Sequence, residues 1–246
     1  MDSDHKVGEG ACLKIDSMDN THIVYSAWIP ETSERMLRYF IQVGETWLIR
    51  DLEFTRGHDP IFSMAVDSTG NPWIIYTNEA DSTVEMVTSD GMGGWNTDTL
   101  FMYTQPVYLL DLEIQDDKPY FAYIGNDGLK LGYDFGSGYQ HLTVDTDMVF
   151  LDYMDMEVDV NGFVHICYLK DTLSELRYVT LEPEGWPFLP EVVDTSTNNV
   201  GRFCSLTIDP STTNPVIAYL KMDGSEMQLR LAEKVSGNWQ HRNVVT

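Results

Sequence analysis

Basic charge and cysteine are both scarce in this chain. Of its 246 residues only 15 are Lys or Arg, against 39 Asp and Glu, leaving a net charge of −24. So acidic a surface repels phosphate backbones and anionic lipid, which excludes nucleic acid as a partner. Three cysteines, Cys12, Cys167 and Cys204, make neither an even disulfide framework nor a Cys-x-x-Cys metal knuckle. All three fall in strand patterns and are expected to be buried free thiols. No apolar run approaches the roughly 18 residues needed to cross a bilayer, so membrane insertion is not expected. The first residues, Met1 to Lys6, lack the basic and apolar regions of a signal peptide, as would a secreted protein whose leader had been removed. Also missing are a Gly-rich phosphate loop, a G-x-S-x-G elbow, His-Glu-x-x-His, and a basic stripe with interleaved aromatics. No segment sustains a 3.6-residue apolar period, so helix is expected to be essentially absent.

What is present is a repeated strand pattern. The stretch Ser63 to Tyr76 reads as an alternating strand, a tight turn at Gly70-Asn71-Pro72, and a second strand closing on tyrosine. The closing tyrosine recurs as Tyr25, Tyr76, Tyr123, Tyr168 and Tyr219, at intervals of 45 to 51 residues. An alternating strand precedes each one. A third strand follows, and then a glycine turn and an aromatic opening a fourth: Trp47, Trp95, Tyr139, Trp186 and Trp239. Four short antiparallel strands at such a period mark a β-propeller blade, whose faces are buried only against neighbouring blades. The expected fold is therefore all-β, a five-bladed β-propeller with four antiparallel strands per blade. It would form one domain over residues 1–246, with blades at about 10–52, 61–100, 108–145, 151–194 and 202–246.

The wording S-x-A-x-D-x-x-G-N-P-x-x-x-Y, then L-x-Y, then G-x-W, resembles the propeller repeats of secreted microbial proteins, in the style of sialidase-like (BNR) blades. Thr88-Ser89-Asp90-Gly91-Met92-Gly93-Gly94-Trp95 is also similar to the sialidase Asp-box, with Met92 where that box has glycine. In that family the box is a structural turn away from the active site. The resemblance implies an extracellular or periplasmic setting and leaves activity open.

Inner strands of a propeller line its central channel. With Met64 and Val66 taken as core, Ser63 and Ala65 face the channel, as do Cys12 and Lys14, Asp111 and Glu113, Asp155 and Glu157, and Ser205 and Thr207. Four of these groups are carboxylates, and a pair about 6 Å apart repels by roughly 3 kcal/mol at an effective dielectric near 20. They must be hydrated, share a proton, pair with Lys14, or hold a cation. Hard oxygen ligands select Ca²⁺, with Asp111, Glu113, Asp155 and Glu157 as the metal candidates. No other cofactor is expected. The same acids, with Asp59 near the channel mouth, are the candidate catalytic set for a glycoside hydrolase. Short regular loops argue against that alternative.

Loops at the blade rim are the second place for function. Trp28, His58, Asp59, Tyr108, Asn126 and Arg202 are the candidate ligand-binding residues there. An aromatic face stacks on sugar C–H groups while amides, carboxylates and guanidinium take the hydroxyls. The favoured expectation is a non-enzymatic, lectin-like module binding carbohydrate or a protein surface. A structural or interaction repeat of a larger surface protein is a further alternative. The tryptophans at the start of the fourth strands are expected to pack between blades. His22 and His165 share a second-strand slot with Trp73, Tyr120 and Val216, so they are expected to be structural.

Overall fold

The computed structural model describes residues 6–30, 34–55, 60–134, 136, 138–146, 153–170, 173–182, 189–195, 200–223 and 226–244. Among these residues there is no α-helix, and the strands form five antiparallel four-stranded sheets. The first holds β1 (Lys6–Ile15), β2 (Thr21–Ile29), β3 (Glu34–Val43) and β4 (Thr46–Thr55), and the second β5 (Phe62–Val66), β6 (Pro72–Asn78), β7 (Thr83–Ser89) and β8 (Trp95–Met102). The third comprises β9 (Val107–Gln115), β10 (Lys118–Gly125), β11 (Gly128–Asp134) and β12 (Tyr139–Asp145). The fourth has β13 (Met154–Val158), β14 (Val164–Lys170), β15 (Glu175–Leu181) and β16 (Glu191–Thr195). The fifth has β17 (Val200–Ile208), β18 (Pro215–Asp223), β19 (Glu226–Val235) and β20 (Asn238–Asn243). Each sheet is a meander in chain order, and the fold is the five-bladed all-β propeller that the repeat predicts. Trp186, expected to open a fourth strand, lies outside the described residues.

The turn between the first two strands of a blade is built by one aspartate. Asp16 Oδ1 accepts the N–H groups of Met18 and Asn20, both at 2.8 Å. Asp67 does the same for Thr69 and Asn71, and Asp159 for Asn161 and Phe163. A short carboxylate that satisfies two backbone donors fixes the reversal. The third blade has no such aspartate at Gln115; its strands are joined by Asp116 and Asp117, with φ of 52° and 55°. That is the two-residue turn of a right-twisted hairpin, against five residues between β1 and β2, β5 and β6, and β13 and β14.

The chain divides into two compact units, Met1–Lys118 and Pro119–Thr246. In the first, the facing sides of the first two sheets form a core of Val24, Leu37, Tyr39, Met64, Ile74, Tyr76 and Val87. Inner strands are cross-linked by polar groups. The Ser63 hydroxyl donates to Asp111 Oδ1 at 3.1 Å and accepts from Leu112 N–H at 3.2 Å. Lys14 reaches past the second sheet to Glu113 at 2.7 Å. The channel register needs correction here. Ser63 and Ala65 are buried, because β5 is flanked by β1 on one side and β9 on the other. Cys12 is half-buried against the second sheet, its Sγ 3.7 Å from the Met64 carbonyl, while Leu13 and Ile15, core positions by alternation, are 56% and 62% exposed.

In the second unit the core joins Cys167, Leu176, Tyr178 and Val193 of the fourth sheet to Val200, Cys204, Leu206, Ile217, Tyr219 and Ala232 of the fifth. Two aspartates at outer-strand ends clamp successive sheets. Asp145 accepts from the Tyr168 hydroxyl (2.7 Å), Lys170 (2.8 Å) and Arg177 (3.1 Å). Asp194 accepts from the Tyr219 hydroxyl (2.6 Å), Lys221 (2.7 Å) and Arg230 (2.8 Å). Three charge-assisted donors per carboxylate give these clamps directionality as well as energy.

Candidate functional site

A cavity of the first unit lies where the turns of its first two sheets meet. Its floor grows from the Asp16 turn. Asp16 Oδ2 accepts from the Asn20 amide at 2.8 Å and lies 3.3 Å from His22 Nε2. Burial pushes the Asp16 carboxyl up, but the side chain and N–H of Asn20, the His22 ring and the Met18 N–H outweigh it and bring it down to about 2. Because this carboxylate only accepts, His22 Nε2 carries the proton, and Nδ1 accepts the Tyr39 hydroxyl at 2.7 Å. Burial, helped by the Asp16 charge, holds the Tyr39 phenol above its ordinary value.

The wall is Trp95. Its ring meets Tyr39 edge-on, with centroids 5.3 Å apart at 67°. The turn before it is fixed by Asp90, whose Oδ1 accepts the N–H groups of Met92 and Gly94, both at 2.8 Å. A Cβ at Gly94 would lie 2.3 Å from Asp90 Oδ2, so the glycine is required for this closure. Asp90 to Trp95 thus form a structural turn. Arg50 on β4 lies over the other part of the indole, Cζ 5.5 Å from the ring centroid, and donates to the Gly93 carbonyl at 3.1 Å. These groups, with Asn71 and Ser89, line a cavity of about 610 Å³. Aromatic face, guanidinium, amide and hydroxyl converge on an apolar floor, which suits a small polyhydroxylated ligand.

The constellation recurs in the second unit. His165 Nδ1 lies 2.5 Å from the Tyr178 hydroxyl, and its Nε2 is 3.6 Å from Asp159. Tyr178 meets Trp239 edge-on at 5.1 Å. Lys234 stands where a cation is again near the indole, 5.8 Å from the Trp239 centroid. Here Glu191 takes both neighbours, accepting from Lys234 at 2.6 Å and from the Trp239 Nε1–H at 3.3 Å. Burial lowers the His165 pKa, Asp159 opposes this, and Lys234 adds to the lowering.

A smaller cavity of about 300 Å³ sits at the other end of the second sheet, lined by Glu79, Ser82, Tyr103, Thr104 and Gln105. Burial and the Glu79 charge raise the Tyr103 phenol.

Of the rim residues expected to bind ligand, Trp28 lies on β2 with Arg35 Cζ 5.4 Å from its ring centroid, and Tyr108 lies on β9 in another sheet of the same unit. Asn126, in an exposed β10–β11 turn, and Arg202, on β17 with a buried Nε lacking a partner among the described residues, belong to the second unit. His58 and Asp59 lie outside the described residues. The carboxylates proposed for catalysis or calcium hold strands together. Glu113 pairs with Lys14, Asp111 accepts from Ser63, and Asp155 accepts from Leu206 N–H at 2.6 Å and Ser205 at 3.1 Å. Glu157 stands opposite His165 on the neighbouring strand. Among the described residues no three His, Cys, Asp or Glu side chains are grouped to hold a metal ion. Arg50 gave no signal in the sequence, Tyr39 was visible only as the tyrosine of the L-x-Y third-strand pattern, and Trp95 only as a packing residue.

No protein-family model and no curated protein matches this chain. Solved structures do. AofleA from Arthrobotrys oligospora is similar with a TM-score of 0.67 at 12% identity, over 98% of this chain and 72% of that one. The Aleuria aurantia lectin, described as a six-bladed β-propeller with a novel fucose recognition mode, gives 0.60 at 11%, over 97% and 77%. The Penicillium chrysogenum α-L-arabinanase complexed with arabinobiose also gives 0.60, at 14%, over 94% and 79%. At such identities the likeness establishes the propeller fold.

Proposed function

We propose that this protein is a non-enzymatic, lectin-like propeller that binds carbohydrate in the cavity between its first two sheets. The observation that carries the reading is the convergence of Trp95, Tyr39 and Arg50 on one 610 Å³ cavity. A sugar ring stacks its C–H face on the indole. Arg50 donates to a hydroxyl pair, and the Ser89 hydroxyl, which accepts from Gly91 N–H at 3.2 Å, keeps its own proton to donate. Lectins among the similar structures support the reading. An extracytoplasmic setting, where glycans are displayed, belongs to the same proposal.

A glycan array on the wild-type protein is the first test. Arg50 is exposed, so Arg50→Ala should fold normally yet weaken sugar binding roughly 10- to 100-fold, the cost of a lost charged hydrogen bond. Trp28→Ala should leave binding unchanged. Loss of binding in Trp28→Ala with none in Arg50→Ala moves the site to the rim, and no binding on the array refutes the reading.

A further inference from the structure

The two constellations differ in charge at equivalent positions. In the second unit Glu191 stands opposite Tyr178 and Lys234 stands opposite Trp239. In the first unit the same two places, opposite Tyr39 and opposite Trp95, are held by Arg50 and Ser89. The second unit thus carries a complete ion pair, acid against base at 2.6 Å, and the same Glu191 carboxylate also accepts the Trp239 Nε1–H. The first unit carries a cation and a hydroxyl. Among the described residues no carboxylate pairs with Arg50, whose hydrogen bond goes to the Gly93 carbonyl, and the Trp95 Nε1–H has no acceptor. A guanidinium has five N–H donors in a planar fork, so one carbonyl leaves most of that fork open. Asp16, the single acid among the described residues lining the cavity, cannot fill it. Its side chain is 1% exposed, and its oxygens are taken by Met18, Asn20 and the His22 ring.

We propose, resting on the carbohydrate reading above, that the cavity of the first unit takes a sugar acid, whose carboxylate supplies the charge that Glu191 supplies in the second unit. The pair of acceptors facing Arg50 is then the two oxygens of one carboxylate. A planar carboxylate matches the guanidinium fork through two parallel hydrogen bonds, a fit that two ring hydroxyls do not reproduce. The Trp95 Nε1–H, the counterpart of the donor that Glu191 already uses, and the Ser89 hydroxyl are further donors on the cavity wall. The net charge of −24 opposes any anion at long range. At physiological ionic strength, however, charges farther than about 8 Å are largely screened, and Arg50 is the one cation among the described residues lining the cavity. In the second constellation the cation is already neutralised by Glu191, so it offers no such seat.

Calorimetric titration of the full chain with methyl β-glucuronide and with methyl β-glucoside, which differ only in a carboxylate against a hydroxymethyl, tests this. The glucuronide should bind at least ~10-fold more tightly at low salt, the worth of a charge-assisted hydrogen bond, and the margin should narrow as salt rises. Arg50→Gln, which keeps an amide donor but no charge, should erase the margin. Ser89→Glu sets an internal carboxylate opposite Trp95; it should keep the wild-type circular dichroism and abolish glucuronide binding. A margin for methyl α-sialoside in place of the glucuronide supports the class and assigns the carboxylate to a sialic rather than a uronic acid. Equal affinity for acidic and neutral sugars overturns the sugar-acid assignment and leaves the carbohydrate reading standing. An acid preference that survives Arg50→Gln overturns it too, since another cation must then hold the carboxylate. No binding of any sugar removes both.

Discussion

Replacing Asp194 by asparagine should unclamp the fourth and fifth sheets. The carboxylate accepts from Tyr219, Lys221 and Arg230, all within 2.8 Å. Asparagine has the same shape but no charge, and its amide points a donor at one of the two cations. Removing one partner of a buried ion pair costs about 3–5 kcal/mol, because the other charge is stranded. Here the Lys221, Arg230 and Asp194 side chains retain 20%, 19% and 12% exposure. Lys221 also keeps the Thr195 carbonyl at 3.0 Å. The expected loss is therefore smaller, about 2–3 kcal/mol, or roughly 5–10 °C in Tm for a chain of this size. Urea and thermal melts at pH 7 measure it. The pH dependence supplies an independent check. Burial raises the Asp194 carboxyl, but the hydrogen bonds from Lys221 and Tyr219 and the charges of Lys221 and Arg230 together lower it. A carboxyl depressed in the folded state leaves the unfolded chain to take up the proton first. Its stabilisation is complete above the unfolded value near 4 and is lost as pH falls below it. The gap between wild type and Asp194→Asn should accordingly close under acid. Asp145→Asn is an internal replicate, since Asp145 clamps Tyr168, Lys170 and Arg177 in the same way. A loss under about 0.5 kcal/mol at pH 7 in both variants would place these clusters with ordinary surface pairs and refute the argument.

Two further outcomes follow from close packing and from burial. A Cβ at Gly132 would stand 2.1 Å from Phe121 Cζ, so Gly132→Ala must displace that ring and should cost about 1–3 kcal/mol in a denaturant melt; an unchanged midpoint contradicts the packing. The lowered His165 pKa means that the unfolded chain binds the proton more readily, so His165 makes stability fall as pH drops below about 6.5. Imidazole NMR shifts should show His165 titrating below that value, and a raised value would reverse the sign.

The strand plan was legible because blade strands bury alternating faces and each tyrosine marks a fixed place in the sheet: Tyr76, Tyr168 and Tyr219 are fully buried at equivalent points of three blades. The exposure of Leu13 was not, because alternation says which face a side chain is on and nothing about what covers that face. Nor was the cavity. Tyr39, Arg50, Asn71 and Trp95 lie on separate strands and turns of two sheets, and only the inter-sheet packing makes them neighbours.

The second-strand slot of His22 and His165, expected to be structural, shows what the sequence does encode. His22, Trp73 and His165 look too unlike to share a role, yet each lies six residues after a turn aspartate. In all three a ring nitrogen lies near that aspartate: His22 Nε2 at 3.3 Å from Asp16 and Trp73 Nε1 at 3.2 Å from Asp67 within hydrogen-bond reach, His165 Nε2 at 3.6 Å from Asp159 beyond it. In these three blades the slot places a ring nitrogen beside the turn carboxylate. Two of the three rings use the second nitrogen to orient a tyrosine. Trp73 has no second ring nitrogen, and the Asp-His-Tyr relay accordingly appears at the two histidine blades, each time beside the tryptophan of the next sheet. Where the relay stands, the tyrosine is held against that indole, and the first of these pairs forms the wall of the cavity.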